Sequence, residues 1–113
     1  MAPPKPRDLF PGALEMMVLR LVQREPLHGY ALVQRIQQAS NDMLHVEEGS
    51  LYPALQRLLK ARLLQAEWGV SATNRRVRIY RITPAGRKHL AVQVSSFEQM
   101  LEGISLVLAL GDA

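Results

Sequence analysis

Residues 49–58 read GSLYPALQRL, and this segment predicts a short amphipathic helix. Ser50 is a typical N-cap residue, and Pro53 then falls in the first turn, where a missing backbone N–H costs nothing. From Leu51 onward, leucines recur at helical spacing and form one apolar face. Polar and aromatic side chains form the opposite face, namely Tyr52, Gln56, Arg57 and Lys60.

The outward face of this predicted helix combines hydrogen-bond donors with positive charge, which suits the major groove of DNA. Gln56 and Arg57 can pair bidentately with base edges. We expect Ser50 and Tyr52 to contact phosphates and so to set the register of the helix on the duplex. An ordinary amphipathic helix with a solvated polar face has the same pattern, so this helix alone leaves both interpretations open.

The composition limits the class of protein. A chain of 113 residues predicts one domain with a modest core, and the absence of cysteine excludes disulfide scaffolds, thiolate metal sites and cysteine nucleophiles. Residues 1–7 lack the apolar core of a signal peptide, and no uncharged apolar run is long enough to cross a bilayer. We therefore expect a cytoplasmic protein with no membrane partner.

Basic residues are concentrated in one part of the chain. The formal net charge is +4, but residues 57–88 contain nine Lys and Arg against the single acid Glu67, a net charge of +8. The rest of the chain therefore carries −4. Such asymmetry indicates a polyanionic partner held by one region of an otherwise acidic protein, and double-stranded DNA is the partner we expect.

Two helices are expected before this segment. Residues 1–8 predict a disordered or loosely docked arm, because prolines interrupt regular hydrogen bonding, and Pro11 then fits the first position of a core helix. His28 stands at the start of the second helix, where its ring can cap the helix or contact a phosphate. Tyr30 is expected to pack inward with its hydroxyl near the surface, within reach of DNA.

The segment after the predicted third helix has the pattern of a β-hairpin. Residues 64–68 alternate between apolar and polar, residues 69–74 supply Gly, Ser, Thr and Asn for a loop, and residues 75–82 return as a second strand. The alternation slips near Tyr80, so the pattern alone does not decide which face of the return strand is buried.

Arginines cluster at the tip of this hairpin. Arg75 and Arg76 stand beside Asn74, and Arg78 follows in the strand. These side chains are candidates for contacting phosphates or a narrow minor groove. A charged edge strand that prevents sheet-to-sheet aggregation has the same composition, and this alternative stays open.

The last part of the chain predicts a long helix, with Thr83 as N-cap and Pro84 at the first helical position. Its apolar residues recur every 3.5 residues on average, which is the repeat of a coiled-coil seam. The seam consists of Leu90, Val94, Phe97, Leu101, Ile104 and Leu108. We expect a second copy of the chain to cover it, and packing on the first helix of the same chain is the alternative.

Several motifs together resemble one known family, the PadR transcriptional regulators of bacteria. They are Gly12-Ala13-Leu14-Glu15, His28-Gly29-Tyr30, the segment at residues 49–55, Asn74-Arg75-Arg76, and Tyr80-Arg81-Ile82-Thr83-Pro84-Ala85-Gly86. The chain is similar to the short members of the family, whose C-terminal part is a single helix. The resemblance implies a homodimeric repressor on a palindromic operator, with the third helix in the major groove and the hairpin, or wing, beside it.

The resemblance also implies that Tyr80 and Ile82 face inward. Some short members bind flat, apolar ligands between the wings and the C-terminal helices, so a small apolar effector is a further expected partner. An aromatic side chain of the last helix often lines that site in the family. Here the last helix contains only Phe97 as an aromatic residue, and the one tryptophan, Trp68, is in the hairpin.

The expected architecture is mostly α with a small β-hairpin. A winged helix-turn-helix domain over residues 9–83 is followed by a dimerisation helix over residues 84–113. A winged helix that binds another protein, without specific DNA binding, is the main alternative function. We expect neither an enzyme nor a cofactor, because the three histidines lack metal-ligand spacing and no nucleophile has an evident base.

Overall fold

The computed structural model describes residues 12–111, and its elements are those of a winged helix followed by a long helix. In chain order they are α1 (Ala13–Arg24), β1 (Leu27–His28), α2 (Gly29–Ala39), α3 (Glu48–Lys60), β2 (Leu64–Val70), β3 (Arg76–Ile82) and α4 (Pro84–Leu108). The predicted fold class is therefore confirmed. The predicted arm and Pro11 lie outside the described residues. None of the helices in the described part is long and apolar enough to cross a bilayer.

The sheet is antiparallel, with the strands in the order β1-β3-β2. Strands β2 and β3 form the expected hairpin, and Leu64 pairs with Ile82 at its base. The two-residue strand β1 adds to the other edge of β3, where Leu27 pairs with Tyr80. Tyr80 is buried and Ile82 packs against the core, as the family pattern implied.

The core lies between the first three helices, the sheet and the start of α4. Its largest fully buried side chains are Leu19, Leu32, Leu51, Leu55, Leu90 and Val18. Their burial is the main favourable contribution to folding in a domain of this size. The core thereby fixes the orientation of α3, whose leucines enter it from one side while its polar face remains outside.

The start of α3 differs from the prediction that Ser50 is its N-cap. The helix begins at Glu48, and the carbonyl of Glu47 accepts hydrogen bonds from the backbone N–H groups of Ser50 and Leu51, each at 3.0 Å. Val46 and Leu51 both lie in the core, in the positions of a hydrophobic staple on either side of the cap. This burial starts the helix before Ser50.

Thr83 links the turn after α3 to the start of α4. The Thr83 hydroxyl oxygen accepts from the backbone N–H of Gly86 at 2.9 Å, which confirms the predicted N-cap. The same oxygen lies 2.8 Å from the carbonyl oxygen of Arg62 and 3.1 Å from that of Leu63. The backbone N–H of Thr83 also donates to the Leu63 carbonyl, at 3.1 Å. The first turn of α4 is thus fixed directly to the turn that ends α3.

The seam of α4 divides into a buried and an exposed part. Leu90 is only 1% exposed within its own chain, and Val94 packs against the same core. Leu90 therefore cannot contact a partner chain, which corrects its assignment to the dimer interface. Every residue from 98 to 111 is exposed. Packing within the chain thus covers the first seam residues, Leu90 and Val94. The later seam residues, Leu101, Ile104 and Leu108, remain exposed.

The contact between Gly86 and Leu63 leads to a prediction about stability. A Cβ added at Gly86 would lie 2.2 Å from the Leu63 carbonyl oxygen, whereas a Cβ at Gly49, in the first turn of α3, would meet nothing within 4 Å. We expect Gly86→Ala to lower the free energy of unfolding by about 3 kcal/mol, because backbone must move to relieve the overlap. Urea unfolding at one fixed protein concentration measures this change.

Gly49→Ala is the matched control, since it makes the same substitution in an open first turn and removes the entropy cost of glycine. It should leave the free energy of unfolding unchanged or raise it by up to about 1 kcal/mol. Equal unfolding free energies for the two variants would show that the close approach at Gly86 does not constrain the fold.

Candidate nucleic-acid interface

The outward face of α3 carries the polar side chains that the sequence assigned to DNA. Tyr52, Gln56 and Lys60 are exposed and follow one another at spacings of four residues along the helix. Ser50 is only partly exposed, because it lies inside the first turn. The part of α3 that is free to enter a groove is therefore the exposed stripe formed by Tyr52, Gln56 and Lys60.

Arg57 has a different environment from the one expected. Its guanidinium forms an ion pair with Glu15 of α1, and the Glu15 side chain is only 18% exposed. The charge of Arg57 is therefore already compensated within the chain, and its side chain points along α3 toward α1. The expectation that Arg57 reads bases needs this ion pair to break, which is unfavourable. The ion pair instead directs the Arg57 side chain toward α1, and the expectation that Arg57 reads bases stays a prediction.

The start of α2 lies next to the start of α3. The His28 ring nitrogen Nδ1 accepts a hydrogen bond from the backbone N–H of Ala31 at 3.4 Å, so His28 caps α2. Gly29 allows a close approach between the two helices, because a Cβ there would lie 2.8 Å from the Tyr52 hydroxyl oxygen. The ring of Tyr52 is thereby placed between α3 and the N-terminus of α2.

Tyr30 does not pack inward, contrary to the sequence-based expectation. Its side chain is 55% exposed. Helix α2 instead buries Leu32 and Ile36, and successive helical residues are separated by about 100°. Tyr30, two residues before Leu32, therefore falls on the opposite side of the helix and faces solvent beside Tyr52.

The tip of the wing has a defined conformation rather than an open loop. Asn74 adopts a left-handed backbone conformation with φ of 62°, which Asn tolerates better than most residues. Its N–H donates to the Ser71 carbonyl at 2.9 Å, and the Ser71 N–H donates to the Arg75 carbonyl at 2.8 Å. The predicted contact residues Asn74 and Arg75 are thus presented on a hydrogen-bonded turn.

Three arginines of the wing have no acidic partner among the described residues. Within residues 12–111, the arginines that form ion pairs are Arg35, Arg57 and Arg81. None of these ion pairs involves Arg75, Arg76 or Arg78. Arg81 pairs with Glu67 on the outer face of the hairpin. The guanidinium carbon of Arg76 instead lies 4.1 Å from the centre of the Trp68 ring, and that of Arg78 lies 6.0 Å away.

These elements enclose one open cleft of about 890 Å³ between the starts of α2 and α3 and the wing, which we call the wing cleft. Its walls bring together six of the predicted contact residues: His28, Tyr30, Tyr52, Arg75, Arg76 and Arg78. Tyr80 lies at the inner wall, where burial raises the pKa of its phenol; the charge of Arg78 lowers this pKa, and Tyr52 raises it. The phenol therefore stays neutral and can donate a hydrogen bond.

Other predicted contact residues lie outside the wing cleft. The structure does not bring Ser50, Gln56, Lys60 or Asn74 to its walls, although Gln56 and Lys60 extend the same exposed face of α3. Trp68 and Glu48 line the cleft and were not predicted as site residues. The pairing of Trp68 with Arg78 across the hairpin was the signal that could have identified the tryptophan, once the register was known.

Known transcriptional regulators are similar to this chain. The family model described as "Transcriptional regulator PadR-like family" matches residues 18–92. The chain is 33% identical over 94 residues to Transcriptional regulator Rv3488 of Mycobacterium tuberculosis, covering 83% of this chain and 84% of that protein.

Solved structures are similar over most of their length. A transcriptional regulator from Clostridium thermocellum superposes with a TM-score of 0.79 and 26% identity, covering 87% of this chain and 92% of that one. A PadR family transcriptional regulator from Eggerthella lenta superposes with a TM-score of 0.74 and 31% identity, covering 87% and 83% of the two chains.

The ion pair between Arg57 and Glu15 can be tested by a double-mutant cycle on stability. Arg57→Met and Glu15→Gln each remove one charge and keep most of the side-chain volume. We expect a coupling free energy of about 0.5–1 kcal/mol, because solvent at Arg57 screens the pair. Urea unfolding of the four proteins gives this value, and additive effects of the two substitutions would show that the pair does not hold α3 to α1.

Proposed function

Since this chain belongs to the PadR-like family of transcriptional regulators, we propose that it is a repressor that binds a palindromic operator as a homodimer. The observation that carries this proposal is the set of uncompensated wing arginines next to the exposed polar stripe of α3. Unpaired charge on one face of a protein favours a polyanion. The exposed stripe beside it supplies groups that can recognise base edges.

In this proposal the contacts divide by type. Gln56 reads a base from the outward face of α3, and Tyr52 and Lys60 contact phosphates on either side of it. Arg75, Arg76 and Arg78 bind the flanking backbone from the wing. Arg57 contributes indirectly, since its pair with Glu15 directs its side chain toward α1 and away from the exposed stripe. Base contacts then provide the sequence preference, and the wing provides most of the affinity.

The homodimer is supported by the apolar surface of α4. Beyond residue 98 the exposed large apolar side chains are Met100, Leu101, Ile104, Leu106, Val107, Leu108 and Leu110. A continuous apolar surface of this kind in water favours association. Leu101, Ile104 and Leu108 continue the 3.5-residue repeat, so a second α4 can pack along them, together with the half-buried Phe97.

Repression and its release complete the proposal. A dimer bound to an operator blocks access to the DNA beneath it. A small-molecule effector releases the operator if it binds the free protein better than the DNA-bound protein, since a ligand shifts an equilibrium only by its differential affinity. The usual coupling free energy of such switches is about 1–3 kcal/mol.

Substitutions on α3 and on the wing should have different effects on DNA binding. Arg75→Ala and Arg76→Ala remove phosphate contacts, so each should weaken all duplexes alike and reduce the salt slope of log K by about 0.9. Gln56→Ala should instead remove about 1–3 kcal/mol of discrimination between operator and unrelated DNA. Fluorescence anisotropy with labelled duplexes at several salt concentrations measures both effects.

Arg81→Ala is the matched control, because it removes an arginine of the same strand whose charge is paired with Glu67 on the outer face. It should leave affinity and salt slope nearly unchanged. Weak binding that is equal for every sequence and insensitive to Arg75→Ala, Arg76→Ala and Gln56→Ala would contradict the proposal and favour a winged helix that binds another protein.

The oligomeric state can be tested on α4. Leu101→Glu and Ile104→Glu each place a charge in the proposed interface and should shift the molar mass in sedimentation equilibrium from two chains to one, because a buried unpaired charge is strongly unfavourable. Gln99→Glu adds the same charge about 200° around the helix from Leu101 and should remain dimeric. A wild-type protein that is monomeric at micromolar concentration would contradict the homodimer.

A further inference from the structure

Trp68 is an exposed tryptophan on the face of β2 that leads out of the core. Leu64 is 2% exposed, whereas Trp68 is 60% exposed. Alternate residues of a strand share one face, so Trp68 follows Leu64 and Ala66 along that face, past the edge of the core. An indole that stays this exposed gains little from folding, because most of its apolar surface remains in water. Core packing therefore does not explain a tryptophan at this position.

Two arginines of β3 lie beside the Trp68 ring. Trp68 pairs with Arg78 directly across the hairpin, and Arg76 is its diagonal neighbour, opposite Val70. Aromatic and long side chains can reach one another at both kinds of position. The guanidinium carbon of Arg76 lies 4.1 Å from the ring centre, and that of Arg78 lies 6.0 Å away, at the outer limit of a cation–π contact. Arg76 is therefore the main partner of the indole.

An aromatic ring holds an arginine differently from a carboxylate. The carboxylate of Glu67 accepts an N–H of Arg81 and compensates its charge. A ring instead contacts the flat face of a guanidinium, whose N–H groups all point outward in its plane. Arg76 therefore keeps its charge and its hydrogen-bond donors available while the ring holds its side chain in one orientation.

An arginine that is already oriented binds a phosphate at a lower entropic cost. A free arginine side chain has many rotamers, and ordering it at an interface opposes association. Stacking on Trp68 removes part of this freedom in advance, and none of the ion pairs among residues 12–111 has to break to release Arg76.

We propose that Trp68 is a positioning residue for DNA binding, which holds Arg76, and Arg78 at longer range, ready for phosphates. The inference rests on the proposed function, since it requires that the wing meets DNA. It gives the indole itself no contact with the duplex. Trp68 then contributes to affinity only through the two arginines.

Affinity and salt dependence together separate positioning from direct phosphate contact. Trp68→Leu should weaken binding to a labelled duplex of mixed sequence about three- to tenfold and leave the salt slope of log K unchanged, because both arginines still neutralise phosphates. Arg76→Ala should weaken binding and also reduce the slope by about 0.9. Trp68→Tyr keeps an aromatic face and should restore most of the affinity.

Val70→Ala is the matched control, because Val70 is exposed on the same face of β2 and lies opposite Arg76. Its affinity should stay within about twofold of wild type. Circular dichroism checks that each variant is folded. Wild-type affinity in folded Trp68→Leu protein, or a loss as large in Val70→Ala, would overturn the positioning role and leave the DNA-binding proposal intact.

A double-mutant cycle shows whether Trp68 acts through the arginines. In a variant with both Arg76→Ala and Arg78→Ala, adding Trp68→Leu should no longer change DNA affinity, since the side chains that it positions are gone. Low salt keeps the binding of these variants measurable. An effect of Trp68→Leu that persists in this background would mean that the indole contacts DNA itself, and it would overturn the positioning role.

Fluorescence tests the stack in the free protein, because Trp68 is the one tryptophan of the chain. Arg76→Ala should increase acrylamide quenching of Trp68, since it uncovers one face of the ring, whereas Arg81→Ala on the outer face should not. Equal quenching in wild type and Arg76→Ala would overturn this inference alone, whatever the affinity for DNA. A stack in a protein that binds no duplex would contradict the proposed function and, with it, the role given to Trp68.

Discussion

Thr83 links the first turn of α4 to the turn that follows α3. Its hydroxyl caps α4 through the N–H of Gly86 and contacts the carbonyl oxygens at the end of α3, while its own N–H binds the Leu63 carbonyl. Because Gly86 has no side chain, the first turn of α4 lies directly against that turn. Together with the packing of Leu90 and Val94 against the core, this contact sets the direction of α4 relative to α3. In the proposed dimer, these contacts determine how far apart and at what angle the two α3 helices stand.

Arginines in this chain divide by whether an acid compensates them. Arg57 and Arg81 are paired with Glu15 and Glu67, and both pairs connect separate segments of the chain. The uncompensated arginines lie on the wing instead, at the wall of the wing cleft. Surface pairs of this kind add little to stability, so their main effect here is to direct side chains. The unpaired positive charge of the wing arginines is therefore available to an anionic partner.

Local patterns in the sequence predicted much of this arrangement. The period of the leucines in α3 and the loop composition near Asn74 were sufficient to predict α3 and the hairpin, and Thr83 with Pro84 marked the start of α4. Family resemblance supplied the buried face of β3, which the slipped alternation near Tyr80 had left open. The short strand β1 was too brief for any periodicity to reveal it.

Contacts between distant parts of the chain could not be predicted in this way. The partner of Arg57 lies 42 residues earlier in the sequence, so the helix pattern gave no sign of it. Leu90 shares the repeat of the later seam residues, and only the three-dimensional packing assigns it to the core. The start of α3 was misplaced because Ser50 is a good cap residue, whereas burial of Val46 and Leu51 decides where the helix begins.

The proposed function requires two α3 helices that face successive major grooves on one side of the DNA. Selection of bound sequences from a pool of random duplexes tests this most directly. We expect an inverted repeat whose half-sites are centred about 10 base pairs apart, one turn of the helix, as for other twofold-symmetric regulators. Enrichment of a single unrepeated half-site, or of no common sequence, would contradict it.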